Sequence, residues 1–555
     1  MHFALFFSAF TLYLDDNAAA GGFPAADTWC NVKLPRSGND KQCDLYESSI
    51  MKTQTIAPST RAALCLAAAL LLAPAATAQL LESDDGLLTL EKSVVLIQCV
   101  SQDFDYVTPW KTARMTQGLG SGFVIDGSRI LTNAHNVSNH KYIEVKKQNI
   151  ARRYPAVVTF IGHDCDLAIL AVLDQSFFDD TIPLQFGGLP RVNSKVHTYG
   201  FPVGGSQVSV TEGVVSRIQM GTYIHTQADS HLVVQTDAAV NPGNSGGPVM
   251  QDGRVVGVAF QNLREADNIG FLIPTTVVAH FLKDVEDGTY DGFGSLGLSS
   301  FTGLHNKAFA DWLKVPPGED GIVVLRTRMH SSVEGKFQKN DVITRIDDYN
   351  IDNDGMVRVY GLSVHMSEII EQKQIGETVE ITFYRDGRKM TETATVAMNR
   401  PVLDYARAYD VPPRHVVYAG LTFVPMTRNY LEAWGQSWLS DIPFYLRYLF
   451  YESEQLNTDR RRKEYVVLSE LLPDTVNAYC AAFKDNVVET VNGVDIHRLE
   501  DMPHALQKSA DGFCVIKFMG VERPLILDAE AAEASQQNIL NRYAVPVAAN
   551  LEAGI

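Results

Sequence analysis

Short runs of apolar residues, broken by polar and turn-forming residues, dominate the chain between residue 90 and about residue 285. Examples are Ser93–Ile97, Gly122–Ile125 and Val255–Ala259, with Gly, Asn and Asp residues between such runs. Closely spaced short strands separated by turn signals are typical of an all-β barrel or sandwich. Long helical segments do not alternate with these strands, and this disfavours an α/β-hydrolase arrangement.

A similar order of segments occurs twice more downstream. The unit at 289–400 contains Leu296-Gly297-Leu298 and the strand Gly321–Val324, whereas the unit at 401–555 contains Ala419-Gly420-Leu421 and the strand Tyr465–Leu468. This is a weak internal repeat. The last unit carries an aromatic and charged insertion at 438–463 that is predicted to be helical, and a further helix is predicted near the C-terminus, at 529–542.

The sequence before residue 79 is predicted to precede the fold. From Met51 onward, a charged stretch, an apolar run at 62–73 and the small residues Ala76-Thr77-Ala78 follow one another. Together these features make up a secretory signal peptide at 51–78, ending in a cleavage site. The mature chain would then be periplasmic or otherwise extracytoplasmic, with a eukaryotic secretory route or an organelle lumen as the second choice.

Residues 1–50 lie upstream of this complete signal sequence. We therefore interpret them as a mis-assigned N-terminal extension, with Met51 as the true start. The alternative is that Met1–Phe10 is itself a targeting segment.

Composition limits the possible partners and cofactors. Hydrophobic residues make up 46% of the chain and the formal net charge is -18, which indicates a globular protein with an acidic surface. Nucleic acid binding requires a basic face, so that class is disfavoured. Four of the seven cysteines follow residue 78 and none forms a CxxC pair, so we expect no metal site and no cofactor. These four are Cys99, Cys165, Cys480 and Cys514, each predicted to be a small buried apolar residue.

The most informative segment is Asn241–Pro248, in which Ser245 lies between glycine-rich neighbours. Acyl transfer requires an exposed hydroxyl on a tight loop whose backbone N–H groups converge on one point. Gly243 and Ser245 would supply these donors, with Asn244 between them, so the three are predicted to form an oxyanion hole. A simple polar turn is the alternative interpretation of this segment.

Two other segments supply candidate partners for Ser245. His135 follows an apolar strand in the segment Leu131–His135, where small and polar neighbours leave room for its ring. Asp166 directly precedes the apolar strand that begins at Leu167, so its carboxylate would be drawn inward and would require a partner. His135 would be the general base and Asp166 the residue that orients it, with Asp164 as the rival for that role.

The order His, Asp, Ser in these three contexts resembles the Deg/HtrA family of serine proteases, over about residues 90–545. The segments Gln235–Ala239 and Asn268–Pro274 also match. The resemblance implies a mainly β fold, with a chymotrypsin-like double β-barrel at 79–288 followed by two PDZ-like α+β domains at 289–400 and 401–555. Within the family, the chain resembles most the long plant-type Deg proteases, whose second PDZ domain is divergent.

The resemblance also implies further sites. The substrate pocket would lie near Val240 and Ile269 and would prefer small aliphatic side chains. Leu296, Gly297 and Leu298 would form the loop that captures peptide C-termini in the first PDZ domain. Members of the family form trimers or multiples of trimers, for which Phe104, Tyr106 and Trp110 are candidate contacts, although core packing explains these aromatics equally well.

Three functions are compatible with these motifs. The first is an ATP-independent endopeptidase that degrades misfolded or damaged extracytoplasmic proteins. The second is a chaperone or PDZ scaffold with minor proteolysis. The third is an esterase that uses the same triad, which the lack of a GxSxG motif disfavours.

Overall fold

A computed structural model of the chain describes residues 90–202, 205, 207–262, 269–329, 331–399, 401–457, 461–509 and 511–552. The predicted extension at 1–50 and the predicted signal peptide at 51–78 lie outside these residues. Among the helices described, none is both long and apolar enough to cross a membrane.

Two closed antiparallel barrels lie side by side at the N-terminal end of the described chain. The first consists of β1 (Val94–Ser101), β2 (Thr116–Ile125), β3 (Arg129–Thr132), β4 (His140–Lys147), β5 (Tyr154–Gly162) and β6 (Leu167–Val172), closed in the order β1-β2-β3-β6-β5-β4. The second consists of β7 (Lys195–Gly200), β8 (Ser209–Thr222), β9 (Ser230–Thr236), β10 (Pro248–Gln251), β11 (Arg254–Asn262) and β12 (Gly270–Pro274), closed in the order β10-β11-β12-β9-β8-β7. The predicted double barrel is confirmed.

The helix α1 (Thr275–Asp284) leads from the second barrel into an α+β unit. Its elements are β13 (Leu298–Phe301), α2 (Lys307–Trp312), β14 (Ile322–Thr327), β15 (Val342–Ile346), β16 (Tyr349–Asn350), β17 (Met356–Val359), β18 (Leu362–His365), α3 (Ser367–Glu371), β19 (Thr378–Arg385) and β20 (Arg388–Thr395). The main sheet has the order β13-β14-β15-β19-β20, so β13 lies at an edge. We call this unit the first PDZ-like domain.

A second α+β unit, the second PDZ-like domain, completes the chain. Its elements are β21 (His415–Tyr418), β22 (Leu421–Pro425), α4 (Arg428–Glu432), α5 (Trp438–Asp441), α6 (Phe444–Leu456), β23 (Val466–Leu471), β24 (Val488–Val491), β25 (Val494–Asp495), α7 (Asp501–Leu506), β26 (Phe513–Phe518), β27 (Leu525–Asp528), α8 (Ala529–Arg542) and β28 (Ala549–Asn550). Two four-stranded sheets form, in the orders β23-β22-β21-β28 and β25-β24-β26-β27. Helices α5 and α6 lie in the segment for which the sequence predicts a helical insertion.

Apolar burial joins the second barrel to the first PDZ-like domain. Leu272 of the barrel, Val277 of α1 and Ile369 of α3 belong to one continuous core, whereas the second PDZ-like domain has a core of its own. The buried His231 of β9 also pairs with Glu371 of α3, at 3.0 Å between Nδ1 and Oε2. Burial lowers the pKa of His231, but Glu371 outweighs it and raises the pKa to about 9.

The four cysteines of the described chain are unpaired and buried, as the sequence predicts. Burial raises the pKa of the Cys99 thiol to about 11, and the carboxylate of Asp410 adds to this effect. A thiol with a raised pKa is a weak nucleophile at neutral pH. The cysteines therefore act as core residues.

Helix α6 offers a matched pair of substitutions that tests its packing. Leu446 is fully buried against the sheet, whereas Phe444 is 77% exposed. We expect Leu446→Ala to destabilise the second PDZ-like domain by about 2–5 kcal/mol through lost burial and a cavity. Phe444→Ala should change stability by about 0.5 kcal/mol or less. Chemical denaturation followed by tryptophan fluorescence measures both; equal losses would contradict this packing.

Candidate active site

The pairing of β3 with β6 brings His135 and Asp166 together. Thr132 lies opposite Ala168 in this antiparallel ladder, so the residues just after β3 meet those just before β6. Nδ1 of His135 lies 2.6 Å from Oδ2 of Asp166, and the backbone N–H of His135 donates to the other carboxylate oxygen at 2.7 Å. A single carboxylate thus fixes both the ring and the backbone of the histidine.

Asp166 ends a tight turn that buries its carboxylate completely. Its backbone is left-handed, with φ of 51°, a conformation that Asp tolerates better than most residues. Its N–H donates to the carbonyl of His163 at 3.3 Å, and its own carbonyl accepts from the N–H of Ala134 at 3.1 Å. The turn from His163 to Asp166 is therefore attached directly to the turn that carries His135.

Asp164, the rival of Asp166, has other partners. The N–H of Phe293 donates to Oδ2 of Asp164 at 3.2 Å, and the hydroxyl of Tyr290 donates to Oδ1. Both partners lie between α1 and the first PDZ-like domain. The structure therefore brings Asp166, and not Asp164, to His135.

Burial and charge act in opposite directions on this pair. For Asp166, burial raises the pKa, but the charges of His135 and His225 and the hydrogen bonds from His135 outweigh burial and leave the pKa below its usual value. For His135, burial lowers the pKa, but the charge of Asp166 and its hydrogen bond leave the pKa above its usual value. The pair thus favours ionised Asp166, which suits a residue that stabilises an imidazolium.

The loop between β9 and β10 presents Ser245 on a tight turn. The N–H of Asn244 donates to the carbonyl of Asn241 at 2.9 Å, and Gly243 has φ of 100°. A proline at the second position and a positive φ at the third define a type II turn, whose third position favours glycine. Pro242 and Gly243 occupy these two positions, so the local sequence selects the turn.

The N–H groups of Gly243 and Ser245 have no hydrogen-bond acceptor among the residues that the structure describes. They are the two donors predicted for the oxyanion hole. The N–H of Asn244 is used within the turn, so Asn244 does not supply a third donor. Its side chain is fully buried, and its amide nitrogen and oxygen have no hydrogen-bond partner in the described part of the protein.

Ser121 and Asn136 of the first barrel hold this loop against the histidine. Ser121 donates its hydroxyl to the carbonyl of Gly243 at 2.7 Å, and Asn136 donates its side-chain amide to the carbonyl of Ser245 at 2.9 Å. Gly246 is equally constrained, because a Cβ there would lie 2.2 Å from the carbonyl oxygen of Ser121. Neither Ser121 nor Asn136 is among the residues predicted from the sequence, although Asn136 directly follows His135.

Among the described residues, the hydroxyl of Ser245 is not hydrogen-bonded to His135. It donates to the carbonyl of Phe260 at 3.0 Å, and none of the hydrogen bonds between described residues joins it to the imidazole. The ring of His135 is 34% exposed, so a substrate can approach it. Catalytic hydrogen bonds are often long or absent before substrate binds.

Val240 and Ile269, the predicted pocket residues, lie on neighbouring segments. Val240 is buried, and Ile269 packs against the core of the second barrel. A Cβ added to Gly270, next to Ile269, would lie 2.8 Å from Cγ2 of Val240. Both side chains are aliphatic, as a pocket for small apolar groups requires.

The predicted peptide-binding loop of the first PDZ-like domain leads into an edge strand. Leu296 is buried, Gly297 is left-handed with φ of 64°, and Leu298 begins β13. The carbonyl of Gly297 accepts from the N–H of Arg328 at 2.8 Å. Because β13 pairs only with β14 within the described chain, its other edge is open to an added strand.

The corresponding segment of the second PDZ-like domain has a different structure. Ala419 and Gly420 form a two-residue hairpin turn with φ of 48° and 80°, the values of a type I′ turn. The turn joins β21 to β22, so β22 has neighbours on both edges. Gln536 of α8 also accepts the N–H of Ala419 at 2.6 Å. Thus β21 occupies the edge of β22 at which a peptide would add.

Known protein families match both ends of this architecture. A trypsin-like peptidase domain model matches residues 120–258, and a PDZ domain model matches residues 405–550. Protease Do-like 4, mitochondrial, from Arabidopsis thaliana is 35% identical over 75% of this chain and 76% of its own length. The chain belongs to the Do-like, or Deg/HtrA, serine proteases.

Another relative of this Do-like protease is Protease Do-like 2, chloroplastic, also from Arabidopsis thaliana, which is 34% identical over 82% of this chain and 74% of its own length. Among solved structures, an HtrA-type protease named AlgW with decapeptide covers 57% of this chain and 98% of its own, with 20% identity and a TM-score of 0.44. The peptidase domain and the relatives establish that this Do-like protease is a serine endopeptidase.

The raised pKa of His135 leads to a testable pH dependence. His135 is the predicted general base and would have to be neutral, so we expect kcat/KM to fall as the pH drops through a value above 6.5, the usual pKa of histidine. In Asp166→Asn, burial is the main influence left on the pKa of His135, and burial lowers that pKa. The fall of kcat/KM on the acid side of the profile, its acid limb, should therefore move to lower pH, while kcat falls about 10⁴-fold.

Asp164→Asn is the control, because it removes a neighbouring carboxylate that does not contact His135. Its acid limb should stay at the pH found for the unmodified protease. A shift in Asp164→Asn as large as that in Asp166→Asn would contradict the assignment. The measurement is a pH profile of kcat/KM on a chromogenic peptide.

Proposed function

We propose that Ser245, His135 and Asp166 form the catalytic triad of an ATP-independent endopeptidase that cleaves misfolded or damaged proteins outside the cytosol. The observation that carries this proposal is the 2.6 Å contact between His135 and the buried Asp166. It stands beside a serine loop whose two free N–H groups suit an oxyanion.

In the proposed mechanism, Ser245 first rotates about χ1, leaving the carbonyl of Phe260 for Nε2 of His135. His135 removes the hydroxyl proton as the oxygen attacks the scissile carbonyl, and it then returns that proton to the leaving amine. A water molecule, deprotonated by the same imidazole, hydrolyses the acyl-enzyme. Asp166 stabilises the transient imidazolium in both steps.

The oxyanion formed in each step would accept hydrogen bonds from the N–H groups of Gly243 and Ser245. Removing one such donor in related chemistry costs about 2.7–4 kcal/mol of transition-state stabilisation. The type II turn holds these groups in place before substrate binds, so no reorganisation is needed during the reaction. Val240 and Ile269 would accept a small aliphatic side chain next to the scissile bond.

Peptide capture by the first PDZ-like domain would select substrates with accessible chain ends. An extended peptide would pair with the open edge of β13 while the loop at Leu296–Leu298 receives its carboxylate. Unfolded proteins present extended segments next to their chain ends, whereas folded proteins hold most such segments in their own secondary structure. We propose that this binding regulates the protease, and that the second PDZ-like domain does not bind peptides in the same way because its edge is filled.

The names of the relatives bear on where the protein acts. They place those proteases in mitochondria and chloroplasts, which gives no support to the bacterial periplasm that we expect from the sequence. We propose an organelle lumen or another compartment outside the cytosol. The predicted homo-oligomer, a trimer or a multiple of trimers, stays a prediction; Tyr106 and Trp110 pack against the second PDZ-like domain of the same chain.

Ser245→Ala separates proteolysis from chaperone activity. We expect the unmodified protein to degrade unfolded casein without ATP and to be labelled by a fluorophosphonate, and we expect Ser245→Ala to do neither, because it lacks the nucleophile. The measurements are gel densitometry and mass spectrometry of the labelled peptide. If both proteins leave casein intact but suppress aggregation of a denatured client, the scaffold function is favoured; cleavage of small esters alone favours an esterase.

Two glycine substitutions test the peptide-binding loop. Gly297 and Gly376 are both left-handed, but a Cβ on Gly297 would lie 2.4 Å from the Cβ of Ser331, whereas a Cβ on Gly376 meets no other atom within 4 Å. Gly297→Ala should weaken binding of a labelled peptide with a free C-terminus by about tenfold or more, since 1.4 kcal/mol corresponds to tenfold. Gly376→Ala should not weaken it. Fluorescence anisotropy gives both affinities; an amidated peptide that binds equally well would contradict carboxylate capture.

A further inference from the structure

Residues 404–410 precede β21 of the second PDZ-like domain and lie against both barrels. Tyr409 stacks on His225, with 4.1 Å between ring centroids and an interplanar angle of 12°. Its hydroxyl donates to the carbonyl of His225 at 2.8 Å, and the N–H of Arg407 donates to the carbonyl of Thr226 at 3.1 Å. We call residues 404–410 the linker.

The last residue of the linker, Asp410, contacts two separate turns of the first barrel. Oδ2 of Asp410 lies 3.0 Å from Nε2 of His163, and Oδ1 accepts from the N–H of Asn139. A second hydrogen bond joins the same two residues, because the side-chain oxygen of Asn139 accepts from the N–H of Asp410 at 2.7 Å. One carboxylate thus bridges two positions that are distant in the sequence.

These two turns carry Asp166 and His135. His163 begins the turn that ends at Asp166, whose N–H donates to the His163 carbonyl. Asn139 ends the segment that begins with Ala134, where the N–H of Ser138 donates to the Ala134 carbonyl at 2.9 Å and His135 lies between. Asp410 therefore connects the turn that holds Asp166 to the turn that holds His135.

His225 fills the space between this carboxylate and the triad. Its Nε2 lies 3.0 Å from Nδ1 of His163, and its ring centroid lies 6.3 Å from that of His135. Burial lowers the pKa of His225 to about 4, so this ring is neutral at neutral pH. An ionised carboxylate only accepts hydrogen bonds, so Nε2 of His163 carries a proton that it donates to Asp410.

We propose that Asp410 is a positioning residue for the triad: by bridging His163 and Asn139, it holds the turns of Asp166 and His135 in register. Full activity then requires that the linker be docked onto the barrels. This inference rests on the proposed catalytic function of the triad. It extends that function by making the linker part of the support for the His135–Asp166 pair.

Other contacts hold the second PDZ-like domain in place independently of Asp410. Arg428 of α4 donates to the carbonyl of Gln227 at 3.0 Å, and Tyr106 donates its hydroxyl to the carbonyl of Ala408 at 3.2 Å. A change of charge at Asp410 therefore leaves the linker attached at other points. Asp410 is left-handed, with φ of 63°, and Asn tolerates that conformation as Asp does. Asp410→Asn thus changes the carboxylate while keeping the shape.

The test compares Asp410→Asn with Asp474→Asn in the full-length chain. Asp474 is an anchored carboxylate of the second PDZ-like domain that pairs with Arg542 at 2.8 Å, so its loss perturbs the same domain without reaching the barrels. On a chromogenic peptide we expect Asp410→Asn to lower kcat by about 10²-fold, the cost of a small misplacement of reacting groups. KM should change by about twofold or less, and Asp474→Asn should leave kcat unchanged.

A second readout does not depend on turnover. The proton between Nδ1 of His135 and Asp166 should give a downfield signal in proton NMR spectra of the Ser245→Ala protein, and adding Asp410→Asn should shift or broaden that signal. Adding Asp474→Asn should leave it in place.

An unchanged kcat or an unchanged downfield signal in folded Asp410→Asn would overturn the positioning role. If even the unmodified protein fails to cleave peptides and to react with a fluorophosphonate, the proposed catalytic function has failed. The NMR comparison then decides separately whether Asp410 positions the pair. Loss of kcat together with loss of the circular dichroism spectrum would also count against positioning, because Asp410 would then be needed for folding itself.

Discussion

The burial of one carboxylate, that of Asp166, sets the conditions for the rest of the site. An ionised carboxylate without partners costs several kcal/mol in a protein interior, so the surrounding chain must supply donors and a positive neighbour. His135 supplies a ring and a backbone N–H, and the left-handed turn from His163 directs the carboxylate toward them. The pairing of β3 with β6 brings these two turns together, and Ser121 and Asn136 then attach the serine loop to the same barrel.

The parts of this site that the sequence predicts are those determined by neighbouring residues. A proline followed by a glycine selects the type II turn before Ser245, and a polar residue at the start of an apolar strand turns inward, as Asp166 does. The short strands and their turns predict an all-β barrel or sandwich for the same reason, and the resemblance to the Deg/HtrA family implies the double barrel. The sequence favours Asp166 over Asp164 because Asp166 directly precedes the strand. In the structure Asp166 contacts His135, whereas Asp164 accepts hydrogen bonds from Tyr290 and Phe293.

Contacts between segments that are distant in the sequence could not be predicted from the sequence. Asp410 contacts His163, which is 247 positions away in the sequence, and Asn139, which is 271 positions away. No periodic pattern in the sequence predicts such contacts. The Ala419-Gly420-Leu421 segment shows another limit. Its residues resemble those of Leu296-Gly297-Leu298, yet Ala419 and Gly420 both adopt positive φ and form the turn of a hairpin. Local similarity therefore predicted the strands on either side but not which edge of each strand is filled.

The strand β21 gives the second PDZ-like domain a property that the first lacks. Because β21 is covalently joined to β22 by two residues, its effective concentration at that edge far exceeds that of a peptide in solution. A competing peptide would have to displace β21, which requires local unfolding of this hairpin. The first α+β domain thus offers a strand edge that needs no rearrangement, whereas the same edge of the second is occupied by its own chain.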